Sequence, residues 1–373
     1  MNTRTPTQAS TTDLIARIDA QADLLGDTAD ESEALRRLSP RAVDVLVDIG
    51  TPRLRLPADF GGWGLSLVDE MTVLKRIAEL DASSAWCTMV TSTATSMLAA
   101  TLHDEAFEEI FGGDRIPVAV GVALPGGSAR PVDGGYIVDG RWSFCSGIHM
   151  ADWIMCNPLI DGDPAQPLPI TVARENVSVH DSWNVIGLRG SGSADFSLDS
   201  VFIADRYIRS ELPVRTGSAE GHPPAPPDEH IAIALGLATR ALRELRLGYE
   251  TGRYKWRDRE VVQSEYSRLS IAVEAADRMA FGLFAEIDAR APLAMSPGDA
   301  LKLKALGTHV TELAVECADF AMRRGGGRAL YMPNPLERTL RDALSARAHV
   351  LVSDQNFSAH GAFALGLGAP GEW

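Results

Sequence analysis

Basic residues are in short supply: in 373 residues, 35 lysines and arginines stand against 50 aspartates and glutamates, a formal net charge of −15. Nucleic acid and anionic membrane both demand a basic footprint, so neither is expected as a main partner, although a local basic pocket could still hold a phosphate. Long hydrophobic runs are absent too; no stretch reaches the roughly 18 uncharged apolar residues that a membrane-spanning helix needs. Cysteine is scarce. Cys87, Cys145, Cys156 and Cys317 are scattered, with no C-x-x-C pair and no metal-ligand spacing, so no metal site and no disulfide framework is expected. Such usage suits a reducing compartment. The opening Met1-Asn2-Thr3-Arg4-Thr5-Pro6-Thr7-Gln8-Ala9-Ser10 lacks the apolar segment of a secretion signal and reads as a flexible tip on a cytoplasmic protein.

What is present is the balance of a soluble globular chain, 45% apolar and 23% charged, long enough for two or three domains with their own cores. From about Thr12 to Leu98 the pattern is helical, broken by a loop at Pro57-Ala58-Asp59-Phe60-Gly61-Gly62-Trp63-Gly64 and resuming near Ser66. Ser83-Ser84-Ala85-Trp86-Cys87 opens a small-residue helix that should be buried on most sides. Its Thr91 and Ser92 can satisfy themselves against the preceding turn. Trp86, Thr91 and Ser92 are kept as candidate pocket lining.

Around Ile116 the period changes to alternation, through Val118, Val120 and Val122, a hairpin at 129–140, Ile154, and Ile170 to Val172, returning in Phe196–Ile203. Asp133-Gly134-Gly135 supplies the positive φ angles of the hairpin turn. Its second strand runs into Gly140-Arg141-Trp142-Ser143-Phe144-Cys145-Ser146-Gly147, where alternation aims Trp142 and Phe144 to one side and Ser143 and Cys145 to the other. Ser146 and Gly147 then leave room for a flat ligand to approach the backbone, with a hydroxyl in reach. An ordinary hairpin with core aromatics fits the same octet. A second loop, Trp183-Asn184-Val185-Ile186-Gly187-Leu188-Arg189-Gly190-Ser191-Gly192-Ser193, is of a kind that can wrap an anion or a cofactor edge.

Gly217 to Pro227, with its cluster of prolines, reads as a linker. Beyond it, three stripes at steps of 3 and 4 predict long helices: Leu235 to Tyr249, Val262 to Ala280 and Leu303 to Phe320. With Leu336 to Val352 as a fourth helix they make a four-helix bundle. At ~1.5 to 3 kcal/mol per buried leucine or valine, the bundle offsets its own ordering and leaves surface for oligomer contacts.

This order, with the motifs at 56–64, 140–147 and 187–193, Gly326-Gly327-Arg328-Ala329-Leu330 and Pro335-Leu336-Glu337-Arg338-Thr339-Leu340-Arg341-Asp342-Ala343, resembles the acyl-CoA dehydrogenase superfamily. The resemblance implies a mainly α chain with a central β-domain: an N-terminal helical domain over 1–114, a middle β-barrel over 115–213 and a C-terminal four-helix bundle over 214–373. It also implies a homotetramer with a flavin held between the domains. Many members carry a catalytic glutamate in a Tyr-Glu-Gly-Thr signature soon after Arg-Asp-Ala. Here Arg341-Asp342-Ala343 leads to Arg347-Ala348-His349-Val350-Leu351, with His349 about where the tyrosine would be and Val350 where the glutamate would be. An acyl-CoA dehydrogenase or oxidase would need a relocated base, and a non-catalytic scaffold of the same fold is a further alternative.

The details look like the flavin-dependent monooxygenase branch instead, the oxygenase components of two-component systems. In these a separate flavin reductase supplies reduced FMN or FAD, which reacts with O2 to a C4a-hydroperoxide and hydroxylates a small aromatic or heteroatom-bearing substrate. Carried over by position, Ser146 would hydrogen-bond the flavin near N5, and His349 would help the substrate deprotonate or steady the hydroperoxide. Trp142, Phe144, Ser146, Gly147, Arg189, Ser191 and Ser193 are the cofactor candidates. Trp86, Ser92 and Trp183 are the substrate-pocket candidates, and the aromatic residues would wall the site against water.

Overall fold

Helix starts in this chain are written by small polar caps. Ser10 forms a reciprocal capping box with Asp13, Ser39 accepts the Ala42 N–H with Pro40 in the first helical position, and Ser296 accepts the Asp299 N–H before Pro297. The structure, a computed structural model, describes residues 10–161, 163–215, 229–290 and 295–367. The expected tip up to residue 9 and the expected linker at 217–227 lie outside the described residues.

Six helices come first: α1 (Thr11–Ala20), α2 (Ala22–Leu35), α3 (Pro40–Ile49), α4 (Leu67–Ala78), α5 (Ala82–Thr101) and α6 (Asp104–Phe111). The strands are β1 (Ala119–Gly121), β2 (Ser128–Val132), β3 (Gly135–Cys145), β4 (Trp153–Cys156), β5 (Leu159–Ile160), β6 (Asp163–Pro167), β7 (Ile170–Ala173), β8 (Ser178–His180) and β9 (Ala194–Ala204). Then come α7 (His230–Glu250), α8 (Glu260–Asp288), α9 (Pro297–Gly325), α10 (Pro335–Arg347) and α11 (Asp354–Ala364). Helices, strands and a helical bundle is the order expected.

The described residues fall into two compact units. One is drawn from Met1–Ser66, Trp86–Asn184 and Arg189–Ala225, the other from Leu67–Ala85, Val185–Leu188 and Pro226–Trp373. The first holds both sheets, a three-stranded one in the order β1-β4-β7 and a six-stranded one in the order β6-β5-β2-β3-β9-β8. The hairpin β2–β3 turns at Asp133-Gly134, where Gly134 has φ +75°, as the sequence demanded. Val120, Val138, Trp142, Cys145, Ile154 and Phe196 are among the residues of its core.

In the second unit α9 packs against α7, α10 and α11, and α4 against α7. The predicted stripes are buried, except that Tyr249 and Tyr266 are only half-buried at the stripe edges. The fourth helix is shorter than expected. It ends at Arg347, and the following residues turn, because Val350 (74% exposed) has no apolar face to join. Ser353 then caps α11, a helix the periodicity does not announce, by accepting the Gln355 N–H.

All four cysteines are buried and free. Burial pushes the Cys156 and Cys317 thiols up to about 12 and raises Cys145 further still.

Within the helical unit, the segment Val185–Leu188 lies on α10. The Leu188 N–H donates to the Asp342 carboxylate at 2.6 Å, and the Arg341 guanidinium donates to the Ile186 carbonyl at 2.8 Å. Burial lifts Asp342 to about 6 against the lowering effect of that N–H. Gly187 is required here by close approach: a Cβ would sit 2.0 Å from the Arg341 carbonyl oxygen. Gly187→Ala is expected to destabilise the fold by at least about 2 kcal/mol; urea unfolding curves matching those of the unchanged chain would contradict this packing.

Candidate active site

The site begins where β3 loses step with β9. Trp142 pairs with Phe196 and Cys145 with Ala194, and the register shifts between them. Phe144 carries the irregularity with φ +65°, a left-handed backbone that is uncommon outside glycine. The expected alternation is therefore corrected: Trp142 and Cys145 face the core, while Ser143 and Phe144 are turned out, Phe144 to 71% exposure. The chain then tightens. Ser146 N–H donates to the Phe144 carbonyl, and Gly147, at φ +73°, donates its N–H to the Ser191 carbonyl, both at 3.0 Å.

That second bond joins the strand end to the loop 189–193. There a 3-10 turn over Arg189–Ser191 and Gly192 at φ +54° lead into β9. The result is a line of buried polar groups. The Trp86 indole N–H, reaching from α5, donates to Ser146 Oγ at 3.0 Å; Ser146 Oγ lies 2.6 Å from Ser193 Oγ, and Ser193 Oγ 2.7 Å from Ser191 Oγ. Since an indole N–H can only donate, Ser146 must accept there. When Ser193 also donates to it, Ser146 keeps its own proton for whatever lies before it, and the chain of hydroxyls strengthens that donor.

The structure thus brings Trp86, Ser146, Gly147, Ser191 and Ser193 together. A second pair, Phe144 and Trp183, meets edge to face with centroids 6.3 Å apart. Other candidates are engaged elsewhere. Trp142 stacks on Phe196 inside the sheet core, 5.3 Å between centroids, and packs the β-region instead of presenting a face to a ligand. Arg189 faces Glu33 at 3.8 Å, so its charge is aimed at α2. Ser92, fully buried, accepts the Arg55 N–H at 3.2 Å and ties α5 to the turn before residue 56.

His349 belongs to the helical unit, in the turn that follows α10. Its Nδ1 accepts the Leu351 N–H at 3.3 Å, which leaves the proton of the neutral ring on Nε2. Its ring lies 4.4 Å, centroid to centroid, from that of His230, the first residue of α7. Burial lowers His349; burial and then His349 lower His230 to about 3. Both rings, tilted against each other, are shifted downward from the ordinary imidazole range, so the pair is neutral near pH 7. His230 was not foreseeable, because an isolated histidine beside the linker carries no sequence signal.

A flavin ring offers acceptor nitrogens and carbonyl edges. The groups present fit it: a buried hydroxyl with a proton to give, a glycine beside it, and an aromatic pair of exposed Phe144 and half-buried Trp183.

Residues 230–354 match the family described as acyl-CoA dehydrogenase, C-terminal domain. Over 355 residues the chain is 27% identical to the flavin-dependent monooxygenase, oxygenase subunit HsaA, of Rhodococcus jostii (strain RHA1), covering 89% of this chain and 93% of that protein. The crystal structure of 3-HSA hydroxylase from Rhodococcus sp. RHA1 is similar with a TM-score of 0.84 and 25% identity, over 95% of this chain and 97% of that one. XiaF from Streptomyces sp., solved in complex with FADH2 and glycerol, shares the fold at TM-score 0.86 and 21% identity, over 96% of each chain.

The histidine pair has a measurable signature. Unfolded, His230 takes up a proton near its ordinary value of about 6.5; folded, only near about 3. Its stabilising contribution is therefore present above 6.5 and lost as pH falls from there. The melting temperature of the unchanged chain is expected to drop more steeply between pH 6.5 and 4.5 than that of His230→Phe. Parallel curves would refute the assignment.

Proposed function

We propose that this flavin-dependent monooxygenase of the acyl-CoA dehydrogenase fold is the oxygenase component of a two-component system, receiving reduced FMN or FAD from a separate reductase and hydroxylating a small aromatic or heteroatom-bearing substrate. We further read it as a homotetramer with the three-part division 1–114, 115–213 and 214–373, working in the cytoplasm. The single observation that carries the site reading is the run of hydroxyls from Trp86 through Ser146 and Ser193 to Ser191.

When bound, reduced flavin supplies the two electrons with which O2 is divided, one oxygen atom entering the substrate and the other leaving as water. The chain's own part is to hold protons still and keep water away. Ser146 Oγ, fixed by Trp86, would present its proton to the ring; Gly147 would let the ring approach the backbone; Phe144 and Trp183 would help keep water from it. His349 acts through Nε2. With Nδ1 held by the Leu351 N–H, the neutral ring has a proton to donate and no second free lone pair, which favours steadying an oxygen over removing a substrate proton. No carboxylate stands at position 350, where the dehydrogenase signature would need one.

The test is anaerobic titration with reduced FMN and with reduced FAD, followed by O2 and a panel of phenols, with product and hydrogen peroxide both counted. Ser146→Ala is expected to raise peroxide at the expense of product. His349→Asn is expected to lower hydroxylation by roughly a hundredfold with flavin affinity little changed. Unaltered product yield in both variants, or reduction of a tightly held flavin by acyl-CoA, would overturn the reading.

A further inference from the structure

A cavity of about 460 Å³ opens in the first unit between the start of α3 and the loop that follows β3, lined in part by Arg37, Asp44, His149 and Arg174. Its size is in the range of small-molecule sites. Its chemistry is unusual for so acidic a chain: three nitrogen-bearing side chains converge with one carboxylate, Asp44. Among the described residues, no carboxylate lies within ion-pair distance of Arg37, Arg174 or His149. The acid whose charge bears on His149 is Asp181, which pairs with Arg36.

The fold holds this convergence open. Arg174 is braced from behind, donating to the carbonyls of Ile148 at 3.3 Å and Val177 at 3.1 Å. Gly192 passes between the other two. A Cβ there would stand 2.9 Å from His149 Cδ2 and 3.0 Å from Arg37 Cβ, so the glycine, at φ +54°, is what lets the imidazole and the guanidinium flank one space. The first turn of α3, starting at Pro40, adds the positive end of a helix dipole to the rim. Leu38, Val43 and Met150 give the cavity an apolar wall. Burial first, then the charges of Arg37 and Arg174, hold His149 below the usual imidazole range, with Asp181 opposing. Unbalanced positive charge around one space, with an apolar wall beside it, is the complement of a phosphoryl group on an organic body.

We infer that the Arg37–His149–Arg174 cavity binds the phosphoryl group of a phosphorylated small molecule, with the organic part on Leu38, Val43 and Met150. The site does not depend on the roles given to Ser146 and His349. It adjoins Ser146 through the chain, since Gly147 and Ser191 also line it.

Titration calorimetry of the full chain with inorganic pyrophosphate measures the site. One equivalent is expected to bind, with a heat that varies with the buffer because His149 gains a proton as the anion arrives. Arg37→Gln and His149→Gln, both at solvent-facing positions, should each weaken binding about tenfold. The second should also abolish the buffer dependence, and Asp44→Asn should strengthen binding. Competition then separates the sources: displacement of pyrophosphate by FMN but not riboflavin assigns the phosphoryl group to the flavin, whereas displacement by phenyl phosphate but not FMN assigns it to another ligand. Undetectable pyrophosphate binding, or affinities unmoved by Arg37→Gln and His149→Gln, would overturn the inference.

Discussion

A strand cannot send neighbouring side chains to the same face, yet Cys145 and Ser146 are both buried, and the left-handed residue at Phe144 is how the chain manages it. Such a backbone at a non-glycine costs roughly 1 to 2 kcal/mol. The cost is offset by what it places: Cys145 in the core beside Trp142, Ser146 under the Trp86 indole, and the Gly147 N–H on the Ser191 carbonyl. Without the break, alternation would turn Phe144 inward with Trp142 and Cys145 outward.

Much of the architecture could be read from the chain because helical and strand periods leave separate marks. The bundle stripes, the Asp-Gly-Gly hairpin and the change of period near Ile116 are local patterns, and each is where it was expected. The resemblance to flavin-dependent monooxygenases was legible for a similar reason, since the motifs that carry it are short and ordered along the chain. What escaped depends on single backbone angles or on partners far apart in sequence. The direction of Phe144 followed from one φ value, not from alternation. Trp142 stacks on Phe196 and Arg189 lies 3.8 Å from Glu33 of α2, partners that the local motifs do not announce. The end of α10 was set by the lack of anything for Val350 to pack on, which a stripe count does not register.

The two units manage protons in different ways. In the β-containing unit, hydroxyls that do not ionise near neutrality pass a hydrogen-bond polarity along a line, so their behaviour is nearly independent of pH. In the helical unit, two adjacent imidazoles are kept uncharged by burial, and Asp342 is shifted upward by the same cause while it grips the Leu188 N–H. An oxygen-using enzyme benefits from both, because stray protons divert reducing power into peroxide.

That diversion gives the buried cysteines a meaning beyond packing. Peroxide attacks sulfur as thiolate, and the ladder from sulfenic to sulfonic acid starts only from that ionised form. Cys145, Cys156 and Cys317 are held as thiols far above neutrality and away from solvent, and Cys87 is sealed against the Ser191 carbonyl. A catalyst that released some of its oxidant as peroxide would find these four sulfurs closed to it, whereas the thioethers of Met279 and Met332 stand exposed.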